Sequence, residues 1–290
     1  MIRMESHFIE GHGGMRLHVR EAGRSDGPAI LFLHGWSQSW LSWLKQMEDA
    51  ALASRFRLLA MDLRGHGMSG RTAEDAAFME NRPWADDVQA ILSALDVSRA
   101  VLVGWSYGGS VVLDHLSTWG TKRVSGIVLV APAVLFSKAD YGRWYGPGLL
   151  KNAAGARSAD LGENIAAMRG LLHACIVRPV DPEWFETQLA ASMVVPPRVR
   201  GAMTRKRLDY ETLLRRIDIP VMLVHGLEDR VVLPAVSRTL AGWIPRVRME
   251  LRRGVGHCPF AEEPERFNAA LTDFVTGLQA ADRLEETGRQ

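Results

Sequence analysis

The sequence contains few of the residues that build disulfide frameworks or metal sites. Only two cysteines occur among 290 residues, Cys175 and Cys258, so a disulfide framework is not indicated. The nine histidines show no H-x-x-x-H spacing and the cysteines no C-x-x-C spacing, which disfavours a metal site. We therefore expect no bound metal and no cofactor.

Long apolar runs and an excess of charge of one sign are also missing. No stretch approaches the ~18 uncharged apolar residues of a membrane span, and residues 1–7 hold no apolar core of signal-peptide length. Lys plus Arg number 35 and Asp plus Glu 33, so electrostatics give no reason to expect nucleic acid or a membrane as a partner. We expect a cytoplasmic globular protein, a monomer or homodimer, whose partner is a small molecule.

Five short apolar runs predict the strands of a buried sheet. Each run is rich in Val, Ile or Leu and is continuous rather than alternating, as in parallel strands that helices cover on both faces. Amphipathic helical patterns follow two of the runs, and another lies near the C-terminus. This alternation predicts an α/β fold. The runs are residues 29–33, 58–61, 101–103, 127–131 and 221–224.

The two ends of the predicted sheet differ from its centre. Residues 7–10 and 15–21 flank a glycine-rich turn and predict an N-terminal hairpin. Residues 247–251 alternate apolar with charged side chains, which is typical of an edge strand with one face in water.

The strand-and-helix alternation stops between Pro132 and about Leu208. That segment holds helical patterns, including one over residues 198–208, but no comparable strand-like run. We interpret residues 133–208 as a helical cap inserted into a core domain of residues 1–132 and 209–290. Its bulky apolar side chains favour a lid over a pocket; the alternative is a segment that only adds packing. Arg205-Lys206-Arg207 predicts a solvated face of a cap helix, and residues 279–290 predict a frayed tail.

The strongest local signal is Gly104-Trp105-Ser106-Tyr107-Gly108-Gly109, which lies between a predicted strand and a predicted helix. A serine nucleophile must project clear of its backbone, and a sharp strand-to-helix turn achieves this. Such a turn crowds the neighbouring chain, so the residues two before and two after the serine must be small. The pattern alone is weak, but in this position it predicts that Ser106 is a nucleophile.

A serine hydroxyl needs a general base, and the base needs an acid to orient it. Asp229 follows the predicted strand 221–224, with Glu228 as a rival acid, and His257 follows the predicted edge strand. The order Ser106, Asp229, His257 is the order of one fold in particular. Backbone N–H groups of Trp36 and Tyr107 would form the oxyanion hole, while His34 is interpreted as a structural support for the turn.

These motifs resemble the α/β-hydrolase-fold enzymes of the capped, single-chain type, and in particular bacterial arylesterases and cofactor-free haloperoxidases. The resemblance implies an eight-stranded, mostly parallel sheet with an antiparallel second strand. It also implies a triad of Ser106, Asp229 and His257. Haloalkane dehalogenases and epoxide hydrolases carry an aspartate where this chain has Ser106. The motifs are His34-Gly35-Trp36, residues 62–70, 84–88, 104–109, 225–229 and Gly256-His257.

A glycine pattern after the second apolar run, residues 58–61, formally resembles a dinucleotide-binding loop. Gly65, Gly67 and Gly70 fit G-x-G-x-x-G, but no apolar-periodic helix follows and the motif is not in the first strand–helix unit. We interpret it as a glycine turn behind the active site.

The sequence therefore predicts a serine hydrolase that cleaves apolar carboxylic esters or lactones through an acyl-enzyme. Three alternatives stay open: a perhydrolase or acyltransferase, a carbon–carbon bond hydrolase with the same triad, and a non-catalytic ligand receptor on this scaffold. Aromatic side chains near the predicted triad and in the cap are expected to line the pocket. They are Trp36, Trp105, Tyr107, Trp144, Trp184 and Phe260.

Overall fold

The computed structural model describes residues 2–135 and 141–287. Its strands form a sheet that contains all five predicted apolar runs, in whole or nearly so. In chain order the strands are β1 (Met4–Glu10), β2 (Arg16–Gly23), β3 (Ala29–Leu33), β4 (Arg57–Met61), β5 (Ala100–Trp105), β6 (Val124–Val130), β7 (Val221–Gly226) and β8 (Val247–Arg252).

The eight strands pair in the order β1-β2-β4-β3-β5-β6-β7-β8. Strand β2 runs antiparallel to both of its neighbours, β1 and β4, and the other adjacent pairs are parallel. The eight-stranded, mostly parallel sheet, its N-terminal hairpin and its antiparallel second strand are therefore confirmed. Strands β1 and β8 form the two edges, as predicted.

Burial explains why the central strands read as continuous apolar runs. All five residues of β3 and all six of β5 are buried, so neither face of these strands meets water. Edge strand β8 is only partly buried and alternates in polarity. The sequence pattern thus reports the position of each strand within the sheet.

Helices flank the sheet and follow its strands. Helix α4 packs against α5, and α5 packs directly on β5. In chain order the helices are α1 (Leu44–Met47), α2 (Ala50–Ala53), α3 (Ala76–Met79), α4 (Asn81–Ala94), α5 (Tyr107–Trp119), α6 (Tyr141–Trp144), α7 (Pro147–Asn152), α8 (Leu161–Cys175), α9 (Pro182–Val194), α10 (Pro197–Met203), α11 (Glu211–Arg216), α12 (Ala235–Trp243), α13 (Pro259–Glu262) and α14 (Pro264–Thr287).

Helices α6 to α11 all lie between β6 and β7 in the sequence, where the cap was predicted. Helix α8 packs against both α7 and α9. The division into a core domain and a cap domain stays a prediction, and residues 136–140 at its start lie outside the described part of the chain. We use "cap" for the helices α6 to α10.

Two predicted boundaries in this part of the chain and at its end were wrong. The helix predicted over residues 198–208 ends at Met203, because the chain then turns to bring Lys206 to helix α5. The frayed tail predicted from residue 279 is helical up to Thr287. Its Ala, Gln, Arg and Glu residues are good helix formers and need no apolar period to extend a helix. Residues 288–290 lie outside the described structure.

None of the helices in residues 2–135 and 141–287 combines the length and the apolar character needed to cross a membrane.

Candidate active site

The loops after four strands lie at the carboxyl ends of the parallel strands, and each loop contributes a predicted site residue. Trp36 follows β3, Ser106 follows β5, Asp229 follows β7 and His257 follows β8. Because the carboxyl ends of parallel strands lie on the same side of a sheet, these residues converge despite their distance in sequence.

Ser106 lies at the sharp turn between β5 and α5. It has a φ of 53° and a ψ of −117°, a region that side-chain-bearing residues rarely adopt. A Cβ atom on Gly104 would lie 2.6 Å from the carbonyl oxygen of Gly108, and one on Gly108 would lie still closer to the carbonyl oxygen of Leu33. The two flanking positions therefore require glycine, as the motif predicts.

Asp229 lies against His257. The His257 Nδ1–H donates to Asp229 Oδ2 at 2.7 Å, and both side chains are buried. Because Nδ1 carries the proton, Nε2 is left as the basic nitrogen. Burial lowers the pKa of His257, but the charge and hydrogen bond of Asp229 outweigh it and hold this pKa above its usual value of 6.5.

Asp229 is held by four donors. Its Oδ1 accepts from the backbone amides of Val231 at 2.8 Å and Val232 at 3.1 Å, and its Oδ2 also accepts from His225 Nε2 at 3.1 Å. Burial alone would raise the pKa of Asp229, but His257 and His225 bring it well below its usual range. The carboxylate is therefore charged throughout the neutral pH range.

The structure separates Asp229 from its rival, Glu228. Glu228 accepts hydrogen bonds from the backbone amides of Gly254 at 2.7 Å and Val255 at 3.2 Å. It thus caps the loop after β8, while Asp229 contacts the imidazole. Sequence reasoning assigned no role to His225, whose contact with Asp229 arises from the turn that follows β7.

The two predicted oxyanion donors, the Trp36 and Tyr107 amides, belong to residues that line one cavity with Ser106 and His257. Within the described residues, neither backbone amide donates a hydrogen bond to a protein acceptor. Tyr107 is the first residue of the 13-residue helix α5, whose N-terminus favours negative charge. Neither amide is therefore occupied by a protein acceptor in this part of the chain, which is a condition that an oxyanion donor has to meet.

His34 supports the turn before Trp36, as interpreted from the sequence. Its Nε2 accepts from the Leu63 amide at 3.0 Å, and its Nδ1 donates to the Gly35 carbonyl at 2.8 Å. Burial lowers the pKa of His34 to about 4, so its imidazole is neutral and fully engaged in the turn.

The cavity beside Ser106 has a volume of about 440 Å³, within the range of small-molecule sites. Of the six predicted pocket aromatics, Trp36, Trp105 and Tyr107 line it. The apolar lining is completed by Ala133, Tyr145, Leu149, Ala153, Leu171, Leu172, Cys175, Met203, Leu208, Val231 and Val232.

The other three predicted pocket aromatics are not among the residues that line the cavity. Phe260 packs in the core, with its ring centroid 4.5 Å from that of Trp43 and 5.0 Å from that of Trp105. Trp144 and Trp184 are buried within the helical segment. Their expected pocket role is therefore corrected, because all three rings are buried in packing and do not line the cavity.

Comparisons with known proteins agree with this geometry. Residues 28–264 match the α/β-hydrolase fold family, which is most of the chain. The chain belongs to that family.

Individual relatives of this α/β-hydrolase have several activities. The structure of the esterase RhEst1 from Rhodococcus sp. ECU1013 is 34% identical, with a TM-score of 0.87, and the match covers 94% of this chain and 99% of that one. The non-heme chloroperoxidase CPO-A1 of Kitasatospora aureofaciens is 27% identical over 90% of this chain and 96% of its own length. The 2-hydroxymuconate semialdehyde hydrolase of Pseudomonas sp. strain CF600 is 29% identical, over 92% of this chain and 93% of its own length.

A buried ion pair beside the cavity of this α/β-hydrolase was missed by sequence reasoning. Lys206 was predicted on a solvated face, but its side chain is buried and pairs with Asp114 of α5. The hydroxyl of Tyr210 donates to the other Asp114 oxygen at 2.7 Å. Burial raises the pKa of Asp114 to about 6 and lowers that of Lys206. The prediction was wrong because an isolated basic triplet does not show that one of its members meets a buried carboxylate.

Proposed function

We propose that this chain is a serine hydrolase that cleaves carboxylic esters or lactones through an acyl-enzyme. The observation that carries the proposal is the contact between His257 Nδ1 and Asp229, in a cavity that Ser106 lines from its strained turn. The contact leaves Nε2 of His257 free to accept a proton. The esterase relative is consistent with the proposal.

In the first half of the reaction, Ser106 Oγ attacks the substrate carbonyl carbon while His257 Nε2 takes its proton. The Trp36 and Tyr107 amides donate to the oxyanion that forms. His257 then gives the proton to the leaving alcohol oxygen, and the carbon–oxygen bond breaks to leave an acyl-enzyme. Asp229 stabilises the imidazolium that exists between the two proton transfers.

The second half repeats these steps with water as the nucleophile. His257 takes a proton from water as its oxygen attacks the acyl carbon, and then returns the proton to Ser106 Oγ as the acid leaves. Loss of one oxyanion donor in such a site costs about 3–4 kcal/mol of barrier. We expect loss of the nucleophile itself to be more severe.

The cavity favours an apolar substrate. Most of its lining side chains are aliphatic, aromatic or sulfur-containing. Of its two basic side chains, Lys206 is buried against Asp114, and Arg157 donates to the Ala153 carbonyl and the Thr204 hydroxyl. We propose that neutral esters or lactones with acyl chains of modest length bind there.

The direct test is the Ser106→Ala variant, assayed on a panel of 4-nitrophenyl esters of increasing acyl length. We expect the wild type to hydrolyse short neutral esters, and the variant to show no turnover above the rate of the uncatalysed reaction, with an unchanged circular dichroism spectrum. Wild-type turnover that persists in the folded variant would contradict the proposal. A panel in which anionic esters are the best substrates would contradict the apolar assignment.

Perhydrolysis is a second candidate, because a bifunctional esterase/perhydrolase of Acinetobacter calcoaceticus, 27% identical to this chain, is among the relatives. It uses the same acyl-enzyme and differs only in that hydrogen peroxide replaces water as the second nucleophile. The ratio of peracid to acid formed when peroxide is present distinguishes the two activities.

A further inference from the structure

Buried hydrogen bonds join the loop after β3 to the cap. The Ser37 hydroxyl donates to the Ser192 carbonyl at 3.3 Å, and Gln38 Nε2 donates to Ser192 Oγ at 2.9 Å. The indole N–H of Trp36 donates to the Arg200 carbonyl at 3.2 Å. We call these five residues the cap seam. Three consecutive residues of the loop thus contact helices α9 and α10, and the first of them carries a proposed oxyanion donor.

The loop has an unusual backbone at the cap seam. Ser37 has a φ of 60° although it is not a glycine, and its side chain is completely buried. Such a conformation persists only where surrounding contacts hold it. Since Ser37 directly follows Trp36, the contacts that fix Ser37 also limit how the Trp36 backbone can rotate.

Arg200 fixes the cap side of the cap seam. Its buried guanidinium donates from Nη2 to the carbonyls of Ser192 at 2.9 Å and Val195 at 2.8 Å, and from Nη1 to the Ala156 carbonyl at 2.6 Å and Asn164 Oδ1 at 2.8 Å. No carboxylate of the described residues pairs with it. The Ser192 carbonyl therefore accepts from both Arg200 and Ser37, so one oxygen joins the guanidinium to the strained loop.

Burial lowers the pKa of Arg200 to about 10, so the side chain remains a cation at neutral pH. A buried cation without a carboxylate partner is costly to keep. It is compensated here by four oxygen acceptors drawn from three separate stretches of the cap. The guanidinium thereby holds the Ser192 carbonyl, near the end of α9, in the position where the loop contacts it.

We propose that Ser37 and Arg200 are positioning residues for the reaction: through the Ser192 carbonyl they hold the Trp36 amide in the orientation that the oxyanion of the transition state requires. The cap then contributes to kcat and not only to the choice of substrate. This inference rests on the proposed function, because it assigns a role within the acyl-transfer reaction.

The test compares two buried serines of the same loop region. Ser37→Ala removes the hydrogen bond next to Trp36. Ser42→Ala is the matched control, because the Ser42 hydroxyl also donates to the cap, to Gln188 Oε1 at 2.9 Å, but lies six residues from Trp36. With 4-nitrophenyl acetate, we expect Ser37→Ala to lower kcat roughly tenfold or more, part of the 10²–10³-fold effect of losing one oxyanion donor. We expect KM to change less than twofold, and Ser42→Ala to keep kcat within twofold of the wild type.

Two further measurements separate positioning from general packing. An alkyl boronic acid forms a tetrahedral adduct with an active serine, and we expect its affinity for Ser37→Ala to fall by about the same factor as kcat/KM. Arg200→Lys keeps the charge but cannot reach all four acceptors. We expect Arg200→Lys alone to lower kcat relative to the wild type. Combined with Ser37→Ala, it should lower kcat by less than a further twofold, because both residues act through one carbonyl.

The outcomes distinguish this inference from the proposed function. Suppose that turnover is lost in Ser106→Ala. If kcat is then unchanged in Ser37→Ala, or if Ser42→Ala lowers kcat as much as Ser37→Ala does, the positioning role alone is overturned. Additive losses in the Arg200→Lys and Ser37→Ala double variant would overturn the role of Arg200. A wild type without Ser106-dependent turnover would overturn the proposed function and the positioning role with it.

Discussion

Ser106 holds a backbone conformation that costs on the order of 1–3 kcal/mol for a residue with a side chain. Three backbone hydrogen bonds maintain it. The Ser106 amide donates to the Val130 carbonyl at 2.8 Å, and the Ser106 carbonyl accepts from the amides of Gly109 and Ala133, each at 3.0 Å. The strain is thus supported by β6, by the first turn of α5 and by the loop after β6.

The pH dependence of the reaction follows from His257. The imidazole must be neutral to accept the Ser106 proton, and Asp229 holds the His257 pKa above 6.5. We expect kcat/KM to fall as the pH decreases through that pKa, so the midpoint of the acid limb should lie above pH 6.5. A pH–rate profile of the wild type with a neutral ester measures it, and a midpoint below pH 6 would contradict the role of His257.

Asp229→Asn tests the orienting carboxylate. An asparagine amide can donate to Nδ1 and so favours the wrong imidazole tautomer, and we expect kcat to fall roughly 10⁴-fold. The acid limb should also shift to lower pH, because burial of His257 remains while the charge that raised its pKa is lost. Glu228→Gln is the control, since Glu228 caps a loop without touching the imidazole. The assignment would be contradicted if Glu228→Gln lowered kcat as much as Asp229→Asn does. It would also be contradicted if Asp229→Asn lowered kcat less than tenfold.

The sequence predicts site residues that lie in a recognisable local motif. It does not reveal residues whose role depends on contacts with residues far away in the sequence. Ser106 lies in a spacing that its own turn imposes, and Asp229 and His257 each follow a recognisable strand. Arg200 resembles any helical arginine in the sequence. Its four acceptors become visible only when three stretches of the cap are folded around it.

Among the elements, helix α5 connects the candidate site to the segment that follows α10. Its first residue is Tyr107, and two turns later Asp114 pairs with Lys206. Met203, Thr204, Lys206 and Leu208 all line the cavity. The ion pair therefore fixes one wall of the cavity to the helix that begins directly after Ser106.

Removing one partner of the Lys206–Asp114 ion pair should destabilise the protein more than removing both charges. Lys206→Met leaves Asp114 buried without its cation, and we expect the free energy of unfolding to fall by about 3–5 kcal/mol at pH 7. Adding Asp114→Asn keeps an acceptor for Tyr210 and removes the unpaired charge, so we expect at least about 2 kcal/mol to be recovered. Urea unfolding of both variants measures this, and equal stability of the single and double variants would contradict it.

Strands were easier to predict than the ends of helices. Central strands are buried on both faces, so their apolar runs follow from their position in the sheet. The ends of α10 and α14 were misplaced for opposite reasons. Helix α10 stops early because a tertiary ion pair draws the chain away, and α14 continues because its last residues are good helix formers that need no apolar period.

For the whole molecule, the sequence predicted the fold, the location of a cavity and the part of its wall that lies next to Ser106, but not the part that the helices supply. The cavity is shared between loops of the sheet, which carry Ser106 and His257, and helical segments, which supply Leu171 and Met203. Which aromatic ring reaches the wall depends on how the helices pack, so Trp144, Trp184 and Phe260 were assigned wrongly. Apolar composition places such rings inside a protein without saying which inner surface they cover.

The most direct test of the central claim is to locate the covalent adduct that a fluorophosphonate probe forms with the wild-type protein. We expect mass spectrometry to find one adduct, on the peptide that contains Ser106. Labelling should disappear in Ser106→Ala and slow strongly in His257→Gln, because the hydroxyl then lacks its base. An adduct on another residue, or no adduct in a protein that hydrolyses esters, would contradict the claim that Ser106 is the nucleophile. A protein that neither reacts with the probe nor turns over esters would favour the alternative of a non-catalytic ligand receptor on this fold.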